Sequence, residues 1–220
     1  MRKCSDITCV LVSGGLDSAV LMARLLRAGG QVRPLYVRCG LTWEAAELYW
    51  LRRLLRALRS PRLLPLTVVW LPMRSLYGSH WSLSRRGVPG ARSTDAAVYL
   101  PGRNLILLSC AGIVAAQRGV TRLALGALQS NPFGDASPRF LRSMSRSLSL
   151  ALDRPIRIST PLRRFKKPQL VRAARGLPLA LTFSCLRPLG VRPCGRCNKC
   201  AERRRAFRLA GVADPTVYVP

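Results

Sequence analysis

The sequence predicts a doubly wound α/β fold with a mostly parallel sheet and a C-terminal metal-binding knuckle. Three observations carry this reading. Short apolar runs alternate with stretches of helical periodicity from Thr8 to Arg175. The first apolar run ends in the glycine-containing string Ser13-Gly14-Gly15-Leu16-Asp17-Ser18. Four of the eight cysteines, Cys185, Cys194, Cys197 and Cys200, fall close together near the end of the chain.

The elements follow in order. Thr8 to Val12 is an uninterrupted apolar run ahead of a Ser-Gly-Gly turn, the pattern of a parallel strand buried on both faces. Asp17 to Ala28 has helical spacing, with Val20, Leu21, Leu25 and Leu26 on one face, and Gly29-Gly30 ends it. Gln31 to Val37 is a second strand. Thr42 is placed to cap a long helix reaching about Ser60, with Glu44 and Glu47 near its positive end. Leu66 to Leu71 is a third strand. Pro72 to Pro101 has no clear period, carries the single histidine, His80, and reads as a lid or binding segment. Asn104 to Arg118 is a helix, Thr121 to Leu125 a fourth strand, and Gln129 to Pro138 a loop of turn formers. Pro138 opens a helix to Leu152, Ile156 to Ile158 is a fifth strand, and Lys167 to Arg175 a further helix.

Composition narrows the classes. The chain has 220 residues and is 49% apolar, enough for one sizeable core. Its longest uncharged stretch, Asn104 to Gln117, is too short to span a bilayer. Met1 to Asp6 lead straight into the first strand without a signal-peptide pattern. These features predict a cytoplasmic protein with no membrane association. Thirty-seven basic residues against nine acidic ones give a net charge of +28. The arginines are spread along the chain, so a compositional preference for Arg is favoured over a nucleic-acid face, although phosphate-rich ligands are attracted either way.

Ser13 to Ser18 has a physical logic as a phosphate loop. Gly14 and Gly15 let the backbone approach an anion, and the N–H groups of the loop and of the following helix point at it. Ser13 and Ser18 add hydroxyl donors. Asp17 would repel phosphate, so it caps the loop or helps hold Mg²⁺. The string is neither a Walker loop nor a dinucleotide fingerprint. It resembles the PP-loop of the ATP pyrophosphatases, which implies an adenine-nucleotide alpha-hydrolase-like sheet, cleavage of ATP between its α and β phosphates, and adenine held near the end of the second strand at Tyr36 and Val37. The spacing Cys185-x8-Cys194-x2-Cys197-x2-Cys200 suits a closed, structural Zn²⁺ site. An iron–sulfur cluster is the alternative that thiolates alone allow.

Further strings resemble the 7-cyano-7-deazaguanine synthase family: Leu100-Pro101-Gly102-Arg103-Asn104, Thr160-Pro161-Leu162 with Lys167, the knuckle from Cys194 to Arg204, and Asp214-Pro215-Thr216. The resemblance implies an ATP-dependent carbon–nitrogen ligase of queuosine biosynthesis. Its substrate is a small molecule, 7-carboxy-7-deazaguanine, and its co-substrate ammonia. It also implies a PP-loop domain over residues 1–180 and a zinc region over residues 181–220, with a homodimer possible. Arg103 and Lys167 are the expected catalytic cations, beside Asp17. The loop after Gly126 departs from the family, with Gln129 and Asn131 where acids are expected. Asp135 then becomes the candidate acceptor for a guanine-like edge, or a turn or cap residue. The alternatives kept open are a PP-loop enzyme adenylating another deazapurine conjugate or a tRNA base, and a non-enzymatic zinc-knuckle binder of nucleic acid.

Overall fold

The computed structural model describes residues 7–220; Met1 to Asp6, Cys4 among them, lie outside the described residues. Five strands form one all-parallel sheet: β1 (Ile7–Leu11), β2 (Gln31–Arg38), β3 (Thr67–Trp70), β4 (Arg122–Ala124) and β5 (Arg157–Ser159). Their spatial order is β3-β2-β1-β4-β5. The chain winds outward from β1 to β2 and β3, then crosses back to β4 on the other side. The switch point therefore lies between β1 and β4, where open α/β sheets leave a crevice at the carboxyl edge.

Side chains alternate across this sheet with period two, and both faces are covered. Cys9, Leu35, Val37 and Leu123 pack toward α5 (Arg103–Ala116) and α6 (Pro138–Ala151). Val10, Val32, Tyr36 and Ala124 pack toward α1 (Leu16–Arg27), α2 (Glu44–Leu58), α7 (Lys167–Ala173) and α8 (Asn198–Ala210). Val10, Leu21, Leu35 and Leu108 are fully buried. Gly112 lets α6 close on α5, since a Cβ there would lie 2.8 Å from Leu148 Cδ2.

Several local expectations change. Thr42 does not cap α2: Trp43 occupies the N-cap position without a side-chain hydrogen bond, and Thr42 Oγ1 is buried without a partner. Glu44 does the local work instead. It accepts from the backbone N–H groups of Cys39 and Gly40 and closes the turn between β2 and α2. The aperiodic segment from Pro72 holds α3 (Arg74–Tyr77), α4 (Trp81–Ser84) and a 3₁₀ turn at Asp95–Val98. His80 accepts from Ser82 N–H at the start of α4, and its ring lies 5.1 Å from that of Trp81.

α8 was not foreseen. Cys200, Arg203, Ala206, Phe207 and Ala210 form its buried stripe, and Gly211 in the left-handed region ends it. Buried Arg203 bonds Asp214 at 3.0 Å, Thr182 Oγ1 at 2.7 Å and the Leu179 carbonyl at 3.1 Å, tying α8 to the segments on either side. Among the described residues no helix is long and apolar enough to cross a membrane.

Candidate active site

The string Ser13 to Ser18 forms a tight bend from β1 into α1. Gly14 has φ +72°, and a Cβ there would meet Leu51 of α2 at 3.2 Å, so only glycine fits both the dihedral and the space. Gly14 also accepts from Phe183 N–H at 2.9 Å, which pins the bend to the C-terminal part of the chain. Ser13 Oγ accepts from Gly15 N–H at 3.3 Å, and Ser18 Oγ donates to the Gly15 carbonyl at 3.0 Å. No side chain caps α1. The N–H groups of its first turn therefore stay available to an anion.

Three adjoining cavities meet at Asp17. The first, about 250 Å³, is lined by Ser13, Ser18, Tyr36, Val37, Glu47 and Arg103. The second is walled by Gly126, Asn131, Phe133, Asp95, Lys167 and Lys199. The third runs beneath Gly15 and Leu16 to Phe183, Ser184 and Cys185. β4 comes close to the bend here: a Cβ on Gly126 would sit 3.1 Å from Asp17 Cβ. The cleft thus occupies the switch point of the sheet.

A chain of charges runs along its floor. Lys167 Nζ donates to Asp17 Oδ2 at 2.9 Å and contacts Glu202 Oε1 at 3.3 Å. Lys199 Nζ meets the other oxygen of Glu202 at 2.7 Å. Burial alone would lower the Lys167 pKa, but Asp17 and Glu202 more than offset it and hold the ammonium above the ordinary lysine value. Burial pushes Glu202 up, and Lys167 and Lys199 outweigh it, bringing its pKa down to about 2. Asp17 Oδ1 is buried without a hydrogen-bond partner, a free lone-pair oxygen of the kind a divalent cation takes. Arg103 Nε is likewise buried and unpartnered in the cleft.

Glu47 is a cleft residue that sequence reasoning treated only as a helix-dipole charge. Its Oε2 accepts from the Tyr36 hydroxyl at 2.7 Å. Burial raises its pKa to about 7, against the lowering influence of Arg103 and the Tyr36 hydrogen bond. Lys199 and Glu202 were also missed, because they lie on the unforeseen α8. Their signal was available: with nine acids in the chain, each acid beside a lysine carries information.

The loop after Gly126 behaves differently from its expected role. Asn131 lines the cleft and accepts from Phe133 N–H at 3.0 Å. Gln129 is exposed, with its backbone N–H bonded to Phe165. Both oxygens of Asp135 are taken by Asn104, one by the backbone N–H at 3.0 Å and the other by the side-chain amide at 3.2 Å. Asp135 therefore caps the start of α5, next to Arg103, with each of its oxygens already accepting one hydrogen bond.

Below the cleft, the sulfurs of Cys185, Cys194, Cys197 and Cys200 all lie within 4.8 Å of one another. A tetrahedral thiolate site with Zn–S near 2.3 Å has edges of about 3.8 Å, so the four sulfurs fit a single ion. Backbone N–H groups of Cys194 and Arg187 point at the Cys185 sulfur at 3.2 and 3.3 Å, and that of Leu186 at Cys197 at 3.3 Å. Such bonds orient sulfurs and stabilise thiolates. Contact with the Cys185 and Cys200 sulfurs pulls the Cys197 thiol well below the ordinary thiol range. Gly195, at φ +69°, supplies the turn between Cys194 and Cys197.

The family described as "Queuosine biosynthesis protein QueC" matches residues 7–211. A 7-cyano-7-deazaguanine synthase of Anaeromyxobacter sp. (strain Fw109-5) is 35% identical over 225 residues, covering 96% of this chain and 95% of that protein. One from Solidesulfovibrio magneticus is 33% identical over 233 residues, covering 96% and 95%. Among solved structures, a 4-thiouridine synthetase–RNA complex with bound ATP superposes with a TM-score of 0.53 at 17% identity, over 93% of this chain and 50% of that one. A predicted tRNA methyltransferase subunit from Methanocaldococcus jannaschii gives 0.50 at 17% identity, over 97% and 92%. At these identities the two structures speak for the fold alone.

Glu47 generates a prediction about pH. Its folded pKa of about 7 stands above the ordinary 4.5. The folded state then holds a proton that the unfolded state has released, so stability falls as pH rises from about 4.5 through 7. Glu47→Gln removes this term, and His80, whose pKa burial lowers, titrates in both proteins. Urea unfolding at pH 5 and pH 8 should show the variant gaining about 2 kcal/mol on the wild type across that window. A constant difference would mean that Glu47 is ionised throughout.

Proposed function

The chain belongs to the QueC family of queuosine biosynthesis proteins, and on that premise we propose that it is an ATP-dependent carbon–nitrogen ligase converting 7-carboxy-7-deazaguanine and ammonia into 7-cyano-7-deazaguanine. The observation that carries the reading is the uncapped PP-loop bend meeting Lys167 and Arg103 in one cleft at the sheet's switch point. Residues 1–180 are the nucleotide-activating unit in this reading and residues 181–220 the zinc-bound unit. The setting is cytoplasmic.

In the proposed reaction an oxygen of the acceptor carboxylate attacks the α-phosphorus of ATP, and pyrophosphate leaves. Ammonia displaces AMP from the mixed anhydride to give the amide. Converting a carboxyl to a nitrile removes two oxygens, so the amide oxygen needs a second activation before AMP and a proton depart. The backbone N–H groups of Ser13 to Ser18 hold phosphate, with Gly14 and Gly15 allowing close approach. Tyr36 and Val37 wall the space for adenine. Arg103 and Lys167 balance the charge that develops on the phosphoryl oxygens, where fixed cations act with little reorganisation. Asp17 Oδ1 is the oxygen suited to Mg²⁺, which would supply further charge neutralisation there. Glu47 is a group able to accept a proton near neutral pH.

Of the substrate-side residues expected from sequence, Asn131 is proposed to contact the acceptor. Asp135 acts indirectly, by fixing the start of α5 at Asn104. Gln129 has no contact that assigns it a role.

Incubation with ATP, 7-carboxy-7-deazaguanine and ammonium should yield a product with the mass of the nitrile, together with AMP and pyrophosphate. Without ammonium the nitrile should be absent. A product retaining a carboxyl oxygen on a different acceptor, or ADP in place of AMP, would overturn the assignment.

The four-cysteine site is proposed to hold one structural Zn²⁺ per chain. Elemental analysis should give a zinc-to-protein ratio near one, and Cys197→Ser should lose the metal and unfold at lower temperature, because metal binding is part of folding at such a site. A visible charge-transfer absorption with iron in the sample would identify an iron–sulfur cluster instead.

A further inference from the structure

Asp95 is the unexplained acid of the cleft. The chain has 37 basic and nine acidic residues, and four of the acids, Asp17, Glu47, Asp95 and Glu202, line the adjoining cavities. Asp17 and Glu202 are paired with lysines, and Glu47 with Tyr36. The Asp95 carboxylate makes no hydrogen bond or ion pair among the described residues. It opens the 3₁₀ turn Asp95–Val98, exposed at the mouth of the cleft. That turn is held from within: Val98 and Leu100 are buried, and Tyr99 stacks on Phe133 with ring centroids 4.7 Å apart.

The cavity that Asp95 enters holds charges of both signs. Lys167 and Lys199 stand in it with their ion-pair partners Asp17 and Glu202, and Asp95 lines it with Asn131 and Phe133 but without a cationic partner among the described residues. A 7-carboxy-7-deazaguanine molecule carries groups complementary to both kinds of charge. Its anionic carboxylate lies on the five-membered ring. Its N1–H and 2-amino donors lie on the far edge of the six-membered ring, and its flat face suits an aromatic neighbour. A carboxylate accepts two parallel N–H groups better than any other side chain. Asp135, the acid that the sequence offered for this task, is occupied by Asn104.

We propose that Asp95 is the specificity-determining residue of the acceptor site, accepting hydrogen bonds from the N1–H and 2-amino groups of the deazaguanine while the acceptor's carboxylate faces Lys167. The inference rests on the proposed acceptor. It assigns to the segment between β3 and α5 the reading of the base edge, a task that the loop after β4 performs only through Asn131.

Titration calorimetry in the presence of a non-hydrolysable ATP analogue tests it with two ligands, 7-carboxy-7-deazaguanine and the same acid lacking the 2-amino group. The wild type should bind the first more tightly than the second. Asp95→Asn should weaken the first about ten- to hundredfold, the range for a hydrogen bond to a charged group. It should also remove most of the discrimination, with affinity for the ATP analogue unchanged. Asp95→Ala should behave alike, which separates loss of the carboxylate from a misplaced amide. Wild-type discrimination retained in both variants would overturn the role of Asp95 and leave the acceptor assignment standing. No binding of either acid to the wild type, with the ATP analogue bound, would remove the acceptor assignment and the role of Asp95 together.

Discussion

The ion chain Asp17–Lys167–Glu202–Lys199 is the interaction on which the rest of the site depends. Its members come from α1, α7 and α8, three helices packed on one face of the sheet. Asp17 belongs to the bend proposed to approach phosphate, and Lys167 reaches it across 150 positions of sequence. Lys167 sits between two carboxylates, so the loss of either would leave a largely buried charge undercompensated. The same constraint explains why the cysteine cluster matters to a cleft it does not enter as a reactant. Cys197 is the N-cap of α8 and Cys200 lies in its first turn, on either side of Lys199. One ion held by the four sulfurs, as proposed, would fix the start of that helix, and with it Lys199 and Glu202.

Charge sets the character of the cleft more than shape does. A chain with a net charge of +28 draws phosphate to its whole surface. Selectivity then has to come from where the few acids are placed. Asp17 and Glu202 hold Lys167 and Lys199 in position. Glu47, with Tyr36, lies where adenine is proposed to enter, and Asp95 is proposed to face the acceptor. Each acid shapes the field locally within a strongly positive surround.

Much of this was legible in the sequence, for physical reasons that differ by element. The strand, bend and helix from Ile7 to Arg27 could be read because their cues are local: an apolar run, two glycines and a helical stripe. The four cysteines could be read because two of the three gaps between them are short and no disulfide context competes. α8 escaped notice because its stripe contains Arg203, whose burial is compensated by Asp214 and Thr182, partners that no local pattern reveals. Thr42 was placed as a cap by its type, but the turn is closed by Glu44 binding two backbone N–H groups ahead of the helix. Asp135 had the right chemistry for a ligand contact and was satisfied instead by Asn104, 31 positions away. Asp95 lies in a segment without periodicity, and only its place in one cavity with Phe133 and Lys167 gives it meaning.

The proposed chemistry turns on activation of the acceptor's own carboxylate by transfer of AMP. The measurement that addresses it most directly is the fate of ¹⁸O from 7-carboxy-7-deazaguanine labelled in both carboxyl oxygens, followed by mass spectrometry of the nucleotide products. Adenylation of the carboxylate and then of the amide yields AMP carrying a single ¹⁸O in its phosphate, and two such AMP molecules for each nitrile formed. Label in pyrophosphate or inorganic phosphate, or AMP without label while nitrile accumulates, would contradict it.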